Sequence, residues 1–279
     1  IMICKYYILG FAILLIWQQT LASEATGDSI GNNLSADSLS STTPASTNNK
    51  EIKADKSCKF KGCQLILPGA MIGYGLFDLC IDNDFLRNLN LDTRHEISEH
   101  RIYKVQADDY LQYTSGVFFY GLKLCGVKTP HSYLEMSTAL ASSYLTMGIL
   151  VTTIKYSTQI ERPDGSSNNS FPSGHTATAF MLAELLRREY QESAPIVGIL
   201  GYTIATGIGC FRVFNERHWV TDVVAGGGFG ILSAAIGYWT LPYTSQWLWG
   251  EDKNKNMAVS LSPHFDGDGV GVNLRLSLK

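Results

Sequence analysis

The chain has 279 residues, 45% of them hydrophobic and 17% charged, with a formal net charge of −3. That length holds one sizeable domain plus tails, and the acidic balance excludes nucleic acid as a partner. A mean hydropathy of +0.02 is low for a chain that crosses a membrane many times, so a soluble bundle stays open beside a membrane-embedded one.

Residues 1–22 read as a secretory signal peptide: Lys5 precedes the apolar run Tyr6 to Trp17, and small residues follow, with cleavage expected after Ala22 or Ser23. An uncleaved anchor is the alternative. Residues 23–57 contain Ser, Thr, Asn, Asp and Ala with scarcely any large apolar side chain, and read as a disordered tether. Export is the expectation that follows. Cys4 lies in the signal, and the five cysteines beyond it are an odd number, which argues against a full disulfide framework. Cys58 and Cys63 are the one pair worth considering, and without nearby histidines they do not make a zinc site.

Residues 58–250 are expected to form an all-α helical bundle, with apolar helices near 64–80, 110–127, 137–154, 174–187, 195–211 and 223–243. Only 137–154, 195–211 and 223–243 are free of charge over a near-spanning length. The charged stretch 81–109 suits an amphipathic interfacial helix near Asp92 to Lys104. Gly226-Gly227-Gly228, inside the last helix, reads as close helix packing. The tail, residues 251–279, alternates in Val259-Ser260-Leu261 and in Val270 to Leu278 around Phe265 to Gly269, which predicts a short β-hairpin. Asp266 and Asp268 lack the further oxygen ligands of a calcium loop.

Three blocks carry the chemistry: Lys155 to Arg162-Pro163, Pro172-Ser173-Gly174-His175, and Arg212 to His218 to Asp222. Three cations, two histidines and a carboxylate in an apolar half are costly unless an anion meets them, and phosphate fits. Lys155 and Arg162 stand two helical turns apart and are expected on one face of a helix that Pro163 stops. Ser173 reads as the N-cap of a helix whose first turn, opened by Gly174 and carrying His175, is an anion site. His218 and Asp222 are one helical turn apart, so the carboxylate is expected to accept the imidazole N–H and fix its tautomer. Arg212 supplies a planar fork for phosphoryl oxygens. Taken singly, each of these residues reads as a structural histidine, a helix pair or a surface charge; six in register do not.

These blocks resemble the three signature motifs of the type 2 phosphatidic acid phosphatase superfamily, over roughly Ile66 to Tyr243. Phe211 departs from the pattern, which usually has a small residue before the arginine. The resemblance implies a helical domain in which His218 attacks phosphorus, Asp222 orients it, and His175 protonates the leaving group and later activates water. Lys155, Arg162, Ser173, Gly174 and Arg212 would hold the phosphate oxygens. No metal and no cofactor are implied. The implied substrate is a lipid phosphate or diphosphate of a bacterial envelope (phosphatidate, an isoprenyl diphosphate or lipid A phosphate), and the partners are that substrate, or a small phosphate ester, and a membrane. A soluble periplasmic acid phosphatase, a vanadate-dependent haloperoxidase and a non-catalytic phospholipid-binding protein are the alternatives.

The motif loops 155–173 and 211–222 must share one end of the bundle, because two helices separate them. Arg187-Arg188 then falls at the other end, which the positive-inside tendency places in the cytoplasm, so the site is expected to face the periplasm from the inner membrane. With an exported tether, one of the segments 64–80 and 110–127 is then expected not to cross.

Overall fold

The computed structural model describes residues 62–81, 84–100, 107–249, 257–266 and 269–278. The signal, the tether and Cys58 of the Cys58–Cys63 pair lie outside the described residues. A 3-10 turn, Gly62–Leu65, leads into α1 (Ile66–Cys80), α2 (Asp84–His100), the single turn α3 (Asp108–Leu111), α4 (Thr114–Leu124), α5 (Tyr133–Thr158), α6 (Gly174–Tyr190), α7 (Pro195–Phe214) and α8 (Val220–Trp249). The expected hairpin follows as β1 (Met257–Asp266) and β2 (Gly269–Leu278), antiparallel with Asp266 opposite Gly269.

Local chemistry explains where helices start and stop. The helix expected at 137–154 begins earlier, at Tyr133, because Ser132 and Glu135 form a capping box: Glu135 N–H donates to Ser132 Oγ at 3.3 Å and Ser132 N–H to Glu135 Oε2 at 2.7 Å. It ends at Thr158, where Gln159 turns left-handed at φ 48°. Arg162 is therefore off the helix, and the expected shared face with Lys155 is corrected: the two meet through a loop. The segment 110–127 breaks after Leu111, and only Thr114–Leu124 forms a helix of any length. A helix does cover the stretch near 92–104: α2 starts eight residues sooner, at Asp84, and ends at His100.

α8 packs against α1, α5 and α6, and α6 against α7. Its glycines let backbones meet, as expected: a Cβ on Gly228 would come within 2.9 Å of the Pro68 carbonyl, and one on Gly230 would collide with the Ala177 carbonyl. Phe171, Met181, Leu185, Phe229 and Tyr238 lie in the core. Leu145 and Ile149 on α5 and Ile196 and Leu200 on α7 are exposed. α5, α7 and residues 220–248 of α8 are each long and apolar enough to cross a membrane.

The far end of the bundle is closed by buried carboxylates. Glu184 accepts from Arg187, from Arg188 and from the Tyr202 hydroxyl at 2.6 to 2.8 Å. Glu189 accepts from Tyr238 at 2.7 Å and from the His131 backbone N–H at 3.2 Å. Arg187 and Arg188 are thus bonded inward rather than forming a solvated basic flank.

Candidate active site

At the opposite end, the C-termini of α5 and α7 and the N-termini of α6 and α8 bring the three motif blocks together. Backbone bonds tie the connecting loops: Asp164 N–H to the Glu216 carbonyl at 3.1 Å, and Ser173 N–H to the Asp222 carbonyl at 3.0 Å. Trp219 adds its indole N–H to the Glu161 carbonyl at 3.0 Å.

His218 is buried at 2% exposure. Its Nδ1 lies 2.7 Å from the Ser170 carbonyl, which can only accept, so Nδ1 carries the proton and Nε2 keeps its lone pair. Asp222 Oδ2 is 3.7 Å from Nδ1, too far for a hydrogen bond. The expectation that Asp222 fixes the tautomer directly is corrected: a backbone carbonyl does so. Asp222 instead accepts from the Ser170 hydroxyl and, at 2.8 Å, from the Trp219 N–H at the start of α8. Burial holds the His218 pKa down at about 4, with Lys155 and Arg212 adding to that effect and Asp222 opposing it. At neutral pH the ring is uncharged.

The cations converge as expected. Lys155 Nζ donates to the Asn169 carbonyl at 2.6 Å, and its Cε stands 4.0 Å from where a Cβ on Gly174 would be. Arg212 is buried at 6% exposure. The Nε atoms of Arg162 and Arg212 are buried without a hydrogen-bond partner among the described residues. A guanidinium N–H hidden from water and left unbonded is costly, and an arriving phosphoryl oxygen would satisfy it. Burial, then Arg212 and Arg217, push the Arg162 pKa below its ordinary value, so the cluster is itself strained toward an anion.

Ser173 occupies the N-cap position of α6, but its side chain makes no cap bond: its hydroxyl pairs with the Thr176 hydroxyl at 2.9 Å. The first-turn N–H groups are left uncapped by it, as an anion site requires. His175, on the same turn, is one-third exposed at 32%, with Nε2 3.0 Å from Asp109 Oδ1. Burial and Arg212 hold its pKa below the ordinary value, against Asp109 and Asp108.

Five residues at the site escape a reading of the sequence. Ser170 supplies the acceptor for His218 from within a run of turn residues. Trp219 joins two loops. Asp108 and Asp109, on α3, reach Arg212 Nη1 at 2.7 and 3.3 Å across about a hundred positions of chain. Asn215 Nδ2 also donates to Asp108, at 3.4 Å. An acidic pair beginning a short helix carries no signal of that distant partner.

Comparison with known proteins finds similarity over the stretch that carries the three motif blocks. Residues 133–246 match the family model of the PAP2 superfamily. A lipid A 1-phosphatase of Porphyromonas gingivalis is 44% identical over 108 residues, 39% of this chain and 24% of that protein. A bacitracin transport permease protein, BcrC, of Bacillus licheniformis is 35% identical over 78 residues, 28% of this chain and 36% of that protein. The chain thus spans no more than about a third of the length of these curated relatives. Among solved structures, LpxE of Aquifex aeolicus is similar at 24% identity and a TM-score of 0.41, covering 53% of this chain and 94% of that one. A PAP2-type phosphatidylglycerolphosphate phosphatase of Bacillus subtilis is similar at 18% identity and a TM-score of 0.42, covering 65% and 97%.

Proposed function

Because residues 133–246 match the PAP2 superfamily model, we propose that the chain is a membrane-embedded phosphatase of lipid phosphate esters that works through a phosphohistidine. The observation that carries this reading is the pairing of a buried, neutral His218, its Nδ1 tied to Ser170, with two buried guanidinium Nε atoms that lack partners among the described residues. Simple binding of an anion needs the cations and has no use for a desolvated imidazole with a free lone pair.

Lys155, Arg162, Arg212, the Ser173 hydroxyl and the Gly174 N–H hold the non-bridging oxygens. His218 Nε2 forms a bond to phosphorus as the P–O bond to the leaving group breaks, and the leaving oxygen takes the proton of His175. In the second half, His175 removes a proton from water, the water oxygen bonds to phosphorus, and the P–N bond returns its electron pair to His218. Asp222, 3.7 Å from Nδ1, stabilises the imidazolium by charge and holds Ser170 in place. The resemblance of 44% to a lipid A 1-phosphatase over 108 residues supports a phosphorylated envelope lipid as substrate. The three spanning-length helices support an inner-membrane location, and the orientation of the site, periplasm-facing in this reading, is what cysteine labelling at its two ends tests.

The test is phosphate release from a panel of lipid and soluble phosphates by the full chain in detergent, compared with His218→Ala. The variant should fold and lose turnover by orders of magnitude; a folded His218→Ala protein with wild-type turnover overturns the mechanism.

A further inference from the structure

The carboxylates of α3 stand where the phosphatase reading puts the leaving group. In-line displacement sends the departing oxygen away from His218, toward the group that protonates it. That group is His175, and Asp109 Oδ1 lies 3.0 Å from its Nε2. Asp109 also lies 3.3 Å from Arg212 Nη1, and the fully buried Asp108 lies 2.7 Å from the same atom. Half of the Asp109 side chain, 52%, is exposed, so it lines the opening as well as the site. The charged groups bearing on His218 are Asp222, Lys155 and Arg212.

We propose that Asp109 is a specificity-determining residue that fits this site to phosphate monoesters with an uncharged hydroxyl leaving group and turns it against diphosphates. The inference rests on the phosphatase reading above. A monoester leaves as an alkoxide and must be given a proton: the P–O bond breaks, the oxygen keeps the pair, and His175 supplies the hydrogen so that a neutral alcohol departs. A carboxylate beside His175 favours its protonated form and aims Nε2 at that oxygen until substrate takes its place. A diphosphate instead leaves as a phosphate ester that is already anionic and needs little help from an acid. That anion would meet Asp109 at the opening with Asp108 behind it, and like charges at such range repel. The charged groups bearing on His175 are Asp108 and Asp109 from α3 and Arg212 from α7, with the Lys155 stem beside Gly174. Arg212 bears on both His218 and His175, and its Nη1 is already engaged by α3.

The experiment compares decyl phosphate with decyl diphosphate in detergent, using wild type, Asp109→Asn and Asp109→Glu in the full chain, with thermal unfolding as the folding control. Wild type should prefer the monoester in kcat/KM. Asp109→Asn should lower the ratio of monoester to diphosphate kcat/KM by on the order of tenfold or more, and Asp109→Glu should restore most of it. The loss on the monoester should appear in kcat and should shrink for an aryl phosphate, whose leaving group needs little protonation. An equal change on both substrates, or a wild type that prefers the diphosphate, overturns the inference. A wild type that releases phosphate from neither, nor from any other ester, overturns the phosphatase reading itself.

Discussion

Gly226→Ala tests the packing that sets the site. On α8, Gly226 faces the start of α6, and a Cβ there would come within 2.5 Å of the Ser173 carbonyl oxygen and 3.2 Å of the Ser173 Cβ. Ordinary contact begins at 3.4 Å, so Ser173 must retreat by about 0.9 Å, and the obstructing atom is backbone that cannot swing aside. One turn earlier on α8, the Asp222 carbonyl holds the Ser173 N–H at 3.0 Å. The start of α6 would be pulled at one point and pushed at the next. Overpacking of this kind costs about 1–3 kcal/mol of stability. Displacing Gly174 and His175 by most of an ångström costs on the order of a hundredfold in kcat. The assay is kcat on a phosphate monoester together with thermal unfolding in detergent. Gly207→Ala on α7 serves as control, because its Cβ would meet nothing within 4 Å; it should keep its kcat and unfold no earlier. A Gly226→Ala protein matching wild type in both measurements would refute the argument that this glycine positions the helix start.

Three further outcomes are expected. With a folded-state pKa of about 4 against an ordinary 6.5, His218 contributes stability that is complete above pH 6.5 and is lost as pH falls toward 4, up to about 3 kcal/mol; His218→Gln should flatten that part of the pH–stability curve, and an unchanged curve counts against a buried neutral imidazole. Vanadate should inhibit turnover while EDTA leaves it intact, since vanadate presents the charge of the transition state to His218 and the three cations; strict dependence on an added divalent ion would point to metal-assisted hydrolysis. In a background without native cysteine, a cysteine at the exposed Asn168 should react with an impermeant thiol reagent in cells with a permeabilised outer barrier, and one at the exposed Gln191 should not. Labelling at 191 alone would place the site in the cytoplasm, and labelling at both would favour a soluble bundle.

What the sequence makes legible is what depends on short spacing. Apolar periodicity marks α1 and α5 to α8, the alternation in the tail marks β1 and β2, and the three motif blocks name the residues that meet at one end. Where local signals compete, the boundary follows the one that the apolar pattern does not carry. The Ser132-x-x-Glu135 box starts α5 four residues before its apolar run, and no property of Gln159 announces the left-handed turn that takes Arg162 off the helix. The site is less legible where it depends on groups far apart in the chain. His218 finds its acceptor in the carbonyl of Ser170, a group every residue has, and side-chain identity cannot reveal it. Asp108 and Asp109 meet Arg212 only because α3 folds beside the end of α7.

Asp222 binds the Ser170 hydroxyl, the Trp219 N–H and the Ser173 N–H at once, two through its carboxylate and one through its carbonyl. It is a clasp before it is a partner of His218. Replacing it by alanine would release Ser170, and with it the carbonyl that keeps the His218 ring oriented. A dead Asp222 variant therefore cannot be read as the loss of a proton relay, because the same change takes the imidazole out of register. Only Asp222→Asn, which keeps an oxygen acceptor while removing the charge, separates the two roles: the distance it opens between assembly and rate is the measure of how much the carboxylate adds to the chemistry.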